Sequence, residues 1–364
     1  MNMPIQRLTP SPRRRDPRRG SVVIYVLGII LLAAFLISRL MDRALIELAA
    51  ESKAVRRVDL RQESLSALEA SLAVLADESA ARSGLHDPAE GWDRPLALMN
   101  YQPADGYVAD ALVEDETGKL SLPTVDEEAL SAYLTAVGVP ITAQDKLVDA
   151  LMVWTRPDYL SLEDGDAASY TSATLPYEAP QRALRSFAEL RAIPAARELF
   201  FDEHGEWNDL GRRFQAGASL FAFNASNVNS APPEVLLARG VDEARVAAIA
   251  RTRQDRTTRT GGYRSAAELA GALGRDAAPP GLGTEAQCLH VIVTVSSGAR
   301  FCRLEAWVRP AGAGGATPGA TATSRRQNAE AQSTTPPVAS VRNNPRKRLD
   351  YPFQILELRE NDGT

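Results

Sequence analysis

Arg18-Arg19-Gly20, followed by Ser21-Val22-Val23-Ile24-Tyr25-Val26-Leu27-Gly28-Ile29-Ile30-Leu31-Leu32-Ala33-Ala34-Phe35-Leu36-Ile37, is the stretch on which the reading of this chain turns. A basic leader meets a glycine, then an apolar run without one charge, closed by Arg39, Asp42 and Arg43. At about 1.5 Å rise per residue the run from Ser21 to Ile37 spans roughly 25 Å, marginally enough for a bilayer core. A cleavable secretory signal would place small residues in an A-x-A arrangement after the run, and Phe35-Leu36-Ile37-Ser38-Arg39-Leu40 offers none. The small residue stands before the run instead, at Gly20. The apolar segment is therefore expected to remain attached and to tether the rest of the chain.

Charge agrees with a tether. The whole chain has a formal charge of -5, while residues 1–20 hold six Arg and one Asp, a net of +5, leaving -10 beyond Gly20. A basic segment before the helix and an acidic bulk after it place the N-terminus in the cytoplasm and the body outside. An acidic body also argues against general nucleic-acid binding. The two cysteines, Cys288 and Cys302, both fall in the exported part, where a disulfide is permitted. They flank the Ser296-Ser297-Gly298 turn unequally, so the bonded and free states both stay open.

Beyond Arg39 no Pro or Gly interrupts the chain until Ser83, and Leu65, Leu68, Leu72 and Leu75 recur at helical spacing. The pattern predicts one helix over 21–81, roughly 90 Å long, with its membrane half at 21–38 and its lower half laid on a sheet. Tyr107–Val113 and Leu120–Leu122 read as strands joined by a turn at Thr117-Gly118. The middle of the chain reads as helical, with a weak repeat. Each copy is an extended lead-in, a helix, a Gly-Val hinge (Gly138-Val139, then Gly240-Val241) and a second helix. Asn229 or Ser230 is expected to cap the helix opened by Pro232 and Pro233, and Ser265 with Glu268 has capping-box spacing. Arg251, Arg253, Arg256 and Arg259 read as a solvated face and loop. His290–Val295 and Phe301–Val308 alternate about a Ser-Gly turn, a hairpin. Residues 311–345 hold almost no large apolar side chain and read as a flexible linker before a last strand at Pro352–Leu358.

Catalytic chemistry has no support. His86, His204 and His290 lie far apart without metal-binding spacing, and no nucleophile elbow, Walker loop or dinucleotide glycine pattern occurs. One acidic loop stands out, with Asp158, Glu163, Asp164 and Asp166 around Gly165. Hard oxygen donors about a glycine turn suit calcium, although the spacing is not that of an EF-hand.

The order of leader, Gly20 and uninterrupted apolar helix resembles the prepilin signal of type IV pilins and type II secretion pseudopilins. That resemblance implies cutting after Gly20 by the prepilin peptidase and methylation of Ser21. Most such chains carry Glu where Tyr25 stands; the minor pseudopilin K of type II secretion lacks it. Three further stretches resemble that K family: Glu114-Asp115-Glu116-Thr117-Gly118-Lys119-Leu120-Ser121-Leu122, Leu147-Val148-Asp149-Ala150-Leu151-Met152-Val153-Trp154, and Asn227-Val228-Asn229-Ser230-Ala231. Val153, Ser121 and Pro123 depart from its usual residues.

The resemblance implies an α+β pilin-like fold, a long N-terminal helix on a small antiparallel sheet, with a large inserted α-helical domain. The expected layout is a leader at 1–20, the long helix at 21–81 and the first part of the pilin-like domain at 82–122. The inserted domain comes next at 123–278, then the rest of the sheet at 285–310 and 350–364 around a loop at 311–349. The resemblance also implies calcium in the acidic loop. The expected role is that of a non-enzymatic inner-membrane subunit, capping or initiating a pseudopilus for export of folded proteins. Its expected partners are I and J minor pseudopilins, the prepilin peptidase and the major pseudopilin fibre. Two other readings stand beside it. One is a membrane-anchored DNA receptor, since the second repeat copy resembles a helix-hairpin-helix unit; its hairpin, Arg239-Gly240-Val241-Asp242, lacks the second glycine. The other is a minor pilin of a type IV system.

Overall fold

A computed structural model of the chain describes residues 18–157, 159–161, 177–254, 262–274, 278–311 and 352–363. They fall into two units, one ending at Arg61 and one beginning at Gln62. A single helix, α1 (Arg18–Arg82), contributes to both. It ends where Ser83 and Gly84 both take positive φ, and a side chain at Gly84 would place its Cβ 2.9 Å from the Glu285 carboxylate. The positive φ favours glycine there, while the Glu285 side chain could move aside.

In the second unit the lower part of α1 buries Ser64, Ala67, Leu68, Ser71, Leu72 and Leu75. This stripe keeps the helical period expected from the leucines, but half of it is small residues. Leu65, expected on the stripe, is only half-buried. Small side chains let a helix backbone approach a neighbouring surface closely, and the Ser64 hydroxyl indeed bonds the thiol of Cys302 in the sheet.

The sheet has the order β1-β6-β7-β8, from β1 (Val108–Asp115), β6 (Leu289–Ser297), β7 (Arg300–Pro310) and β8 (Phe353–Gly363), each pair antiparallel. Leu289, Val291, Val293 and Val295 alternate inward along β6, and Cys302, Leu304 and Ala306 along β7. That is the period-two signature of a sheet with one covered face. The β6–β7 hairpin turns at Gly298, whose φ is +61°, as expected of a Ser-Gly turn.

The first expected hairpin does not form. Leu120–Ser121 (β2) pairs in parallel with Ala218–Ser219 (β3), apart from the main sheet, and β1 pairs with β6 across the length of the inserted domain. The turn between them is a 3-10 segment, Glu116–Gly118, capped by the Asp115 carboxylate. It carries the chain out of the sheet rather than back along it.

Between these strands lie α3 (Glu127–Val137), α4 (Ile141–Thr155), α5 (Pro194–Phe200), α6 (Asp209–Gly217), α7 (Pro233–Ala238), α8 (Glu243–Gln254) and α9 (Ala266–Ala272); α2 (Pro95–Leu98) precedes β1. A second short parallel pair joins β4 (Ser226–Asn227) to β5 (Leu282–Gly283). One apolar core runs through the helices, from Leu120 to Leu282, with Tyr133, Phe200 and Phe214 among its largest fully buried members. Both repeat hinges take left-handed glycines, Gly138 at φ +99° and Gly240 at φ +76°. Ser265 accepts a bond from Glu268 N, as its spacing predicts. The expected cap at Pro232–Pro233 is corrected: no side chain caps α7, because Asn229 and Ser230 are engaged elsewhere.

Candidate anchor and assembly surfaces

Gly20 and Ser21 lie inside α1. From Val23 to Leu48 the helix is long and apolar enough to cross a membrane, and none of that span is buried within the protein. Tyr25 sits in it at 72 % exposure. Such a surface is unstable in water, since each large apolar side chain forfeits about 1.5–3 kcal/mol of burial. Such a span calls for apolar surroundings.

At the junction of sheet and helices the structure brings together two of the sequence motifs, 112 residues apart. Asp115 accepts from Asn227 Nδ2 at 2.6 Å, from Ser230 Oγ at 2.5 Å and from Thr117 N at 2.9 Å. Thr117 Oγ1 accepts from the backbone N–H groups of Gln287 and Cys288, both at 2.8 Å. Asn227 also donates to the carbonyl of His86 at 2.7 Å, while Asn229 donates to Tyr263 O at 2.9 Å and accepts from Tyr263 N at 2.7 Å. Gly118 is required here, because a Cβ on it would lie 2.6 Å from Ser230 Oγ. Burial pushes the Asp115 carboxyl above the usual carboxylate range against the opposing pull of its hydrogen bonds. A buried polar network this fully paired specifies one arrangement of the groups it joins. The motifs are therefore a latch between sheet and inserted domain, and the sequence held no signal that Asp115 and Asn229 would be buried.

The remaining expected residues are dispersed. Cys288 and Cys302 are both free and buried. The register sets Cys302 opposite Val295, seven residues along from Cys288. At about 3.3 Å per residue that is roughly 23 Å, against the ~7 Å limit for a disulfide, so the two are not joined. Asp158, Glu163, Asp164 and Asp166, the expected calcium ligands, lie outside the described residues.

Another cluster comes together instead: Cys302, Glu360 and Asp362 have donor atoms within 4.8 Å of one another. Burial raises the Cys302 thiol, which is bonded to Ser64 and Asp362, and a soft sulfur does not suit calcium. His86 is buried with Nδ1 2.7 Å from Thr284 O, His204 is exposed, and His290 stacks on Trp307 at 4.1 Å between Glu114 and Glu305. The hydrogen bond from His290 holds the Glu114 carboxyl below its usual range. Arg253 corrects the reading of a solvated face: it is half-buried and donates to the carbonyls of Val228 and Ala231, bracing the Asn227–Ala231 motif. Arg256 and Arg259 lie outside the described residues.

A long N-terminal helix laid on a four-stranded antiparallel sheet, with a helical domain inserted between strands, defines an α+β pilin-like protein. Residues 110–202 match the family described as Type II secretion system (T2SS), protein K, a segment that holds two of the three resembling motifs. Over that segment the chain is similar to protein K, a minor pseudopilin of type II secretion. No curated protein matches significantly. Among solved structures, a chain of the GspK-GspI-GspJ complex from enterotoxigenic Escherichia coli is similar in fold, with a TM-score of 0.56 at 13 % identity, over 86 % of this chain and 99 % of that one.

Proposed function

We propose that this protein is a non-enzymatic tip subunit of a type II secretion pseudopilus, capping or initiating the fibre that exports folded proteins. The observation that carries this is the inserted helical domain with its own core, residues 120–282, on a pilin-like sheet. A subunit with that bulk beside its sheet is poorly suited to stacking beneath copies of itself. Tyr25 suits the same place: with no carboxylate in the apolar run, the chain need not pair with the terminal amine of a subunit ahead.

In this reading the peptidase cuts after Gly20, Ser21 is methylated, and the apolar half of α1 anchors the chain once across the inner membrane. The leader of net +5 sets the N-terminus in the cytoplasm and the body of net -10 in the periplasm. The similar solved chain comes from an assembly with GspI and GspJ, which supports I- and J-type minor pseudopilins as partners. They would pack through the apolar stripes of their long helices, next to the major pseudopilin fibre. Calcium in the loop holding Asp158, Glu163, Asp164 and Asp166 is part of the proposal. Calorimetric titration should show binding that D164A and D166A remove, and no heat at millimolar calcium would sink that site.

Mass spectrometry of the mature chain tests the whole reading. The expected N-terminal peptide begins at Ser21 and carries one methyl group, and the uncut leader returns when the prepilin peptidase is deleted. A chain beginning at Arg39 or later would overturn it.

A further inference from the structure

Where the helical domain meets the β7–β8 edge of the sheet there is a cleft of about 660 Å³. Arg156, Arg182, Arg185 and Arg309 line it, and among the described residues no carboxylate does. Arg156 reaches into it from the end of α4, held by bonds from Nη1 to Pro123 O at 2.8 Å and from Nη2 to Val125 O at 2.6 Å. Arg309 is held by the carbonyl of Ala222. Backbone carbonyls orient these two guanidinium groups without neutralising them, and each keeps further N–H donors. Arg185 is exposed, and its side chain has no partner among the described residues. Arg182, by contrast, is matched by Glu189 at 3.1 Å. Among the described residues no carboxylate pairs with Arg156, Arg185 or Arg309, on a body whose net charge is strongly negative.

The rest of the lining is apolar, including Leu184, Phe221 and Leu356. Leu356 is the extra residue of a β-bulge, between the pairs Trp307–Glu357 and Val308–Ile355, and the bulge turns it into the cleft. β8 is the last strand of the sheet, so its outer edge has no strand beside it among the described residues. An unpaired strand edge accepts an extended segment through main-chain bonds, and adjacent pockets then select side chains.

From this geometry we propose that the cleft binds an extended segment of a partner protein that carries carboxylates between apolar residues. The carboxylates would meet Arg156, Arg185 and Arg309, and the apolar side chains the Leu184–Phe221 wall. Guanidinium forks match carboxylates in plane and number. A long polyanion such as nucleic acid would meet the repulsion of the acidic body. The proposal stands apart from the membrane reading, because nothing in it depends on how the N-terminus is processed.

The test uses the full chain in detergent micelles and a dye-labelled peptide, Leu-Glu-Leu-Glu-Leu-Glu, with its Leu-Gln counterpart. Saturable binding of the Glu peptide is expected, weaker at high salt. R185E should weaken it about tenfold, a loss of the size expected from reversing a rim charge at a charged contact. Because the Arg185 side chain braces nothing among the described residues, this variant should keep the fold. R156Q should weaken binding as well, while R251E, on the exposed face of α8, should leave it unchanged. Equal binding of the Gln peptide, no binding at low salt, or full affinity in R185E would each overturn the proposal.

Discussion

The two parts of α1 share one backbone conformation and solve opposite problems. From Val23 to Leu48 its large side chains, Ile24, Leu31 and Phe35 among them, are more than half exposed. From Ser64 to Leu75 one narrow stripe is almost wholly buried, and it alternates leucines with Ser64, Ala67 and Ser71. A helix that is apolar all round wants a solvent or partner that is apolar all round; a helix with one stripe wants one fixed surface. The lower part is held in place by packing within the protein, and the upper part by whatever surrounds it.

Truncation should separate the two most sharply. Leu72→Ala is expected to lower the stability of the 62–364 unit by about 2–5 kcal/mol, since Leu72 is 1 % exposed and its loss leaves a cavity. Leu31→Ala should leave the same unfolding transition where it was. Denaturant melts of both variants, monitored by the fluorescence of the four tryptophans, check the contrast. An equal effect of the two would break it.

A charge tests the upper part alone. Leu31→Arg places a guanidinium mid-run at a cost of about 2.5–3.5 kcal/mol for insertion. The variant is expected to move from the membrane fraction to the soluble or degraded fraction, while Tyr25→Arg, nearer the helix end, should be tolerated better by snorkelling. Fractionation and blotting read both.

Close approach of the lower stripe is the next difference. Ala67→Leu adds volume to a site with no exposure at all and should cost about 1–3 kcal/mol. Here the sequence was only half legible. The leucine spacing gave the helix and its inward face, but the period of large residues is silent about Ser64 and Ser71, which read as polar and are buried because Ser64 meets Cys302 and Ser71 donates to its own turn at Ala67 O, 2.8 Å. The β6–β7 hairpin was legible because its turn and alternation are local. The β1–β6 pairing was not, because nothing near Val108 records a partner about 180 residues away, and the Thr117-Gly118 turn signal suggested a nearer one. The latch was visible only as motifs by resemblance; that Asp115, Asn227 and Asn229 are buried comes from their mutual bonds, which no single segment encodes.

That latch gives a pH test. With its folded-state value raised by burial, Asp115 keeps its proton in the native protein at pH values where the unfolded chain has lost it. The native state then binds more protons, so this group makes stability fall as pH rises from the ordinary aspartate value of about 4 toward the raised one, with a slope of at most about 1.4 kcal/mol per pH unit. Glu114, next to it, works in the other direction: its lowered value contributes stability at neutral pH that is lost as pH falls through it. Asp115→Asn should flatten the decline above pH ~4 and leave the acid limb set by Glu114 in place. Urea midpoints across that range measure both limbs, and an unchanged decline in Asp115→Asn would show that the latch titrates through another group.

The smallest effect is expected at the free edge of the sheet. Ile355 and Leu358 are 44 % and 45 % exposed, although their partners Val308 and Ala306 face the covered side of β7. The bulge at Leu356 resets the alternation, so both residues share that face; they are exposed because β8 is the outermost strand of the sheet, with no strand beside it among the described residues. Ile355→Glu and Leu358→Glu should therefore each change stability by no more than about 0.5 kcal/mol, the range of ordinary surface positions. The same change one strand inward, Leu304→Glu, buries a carboxylate at a site with no exposure and should prevent folding of the unit. If Ile355→Glu proved as costly as Leu304→Glu, the edge of β8 would be covered in solution, and the surface that separates the protein's packed interior from its binding face would have to be redrawn.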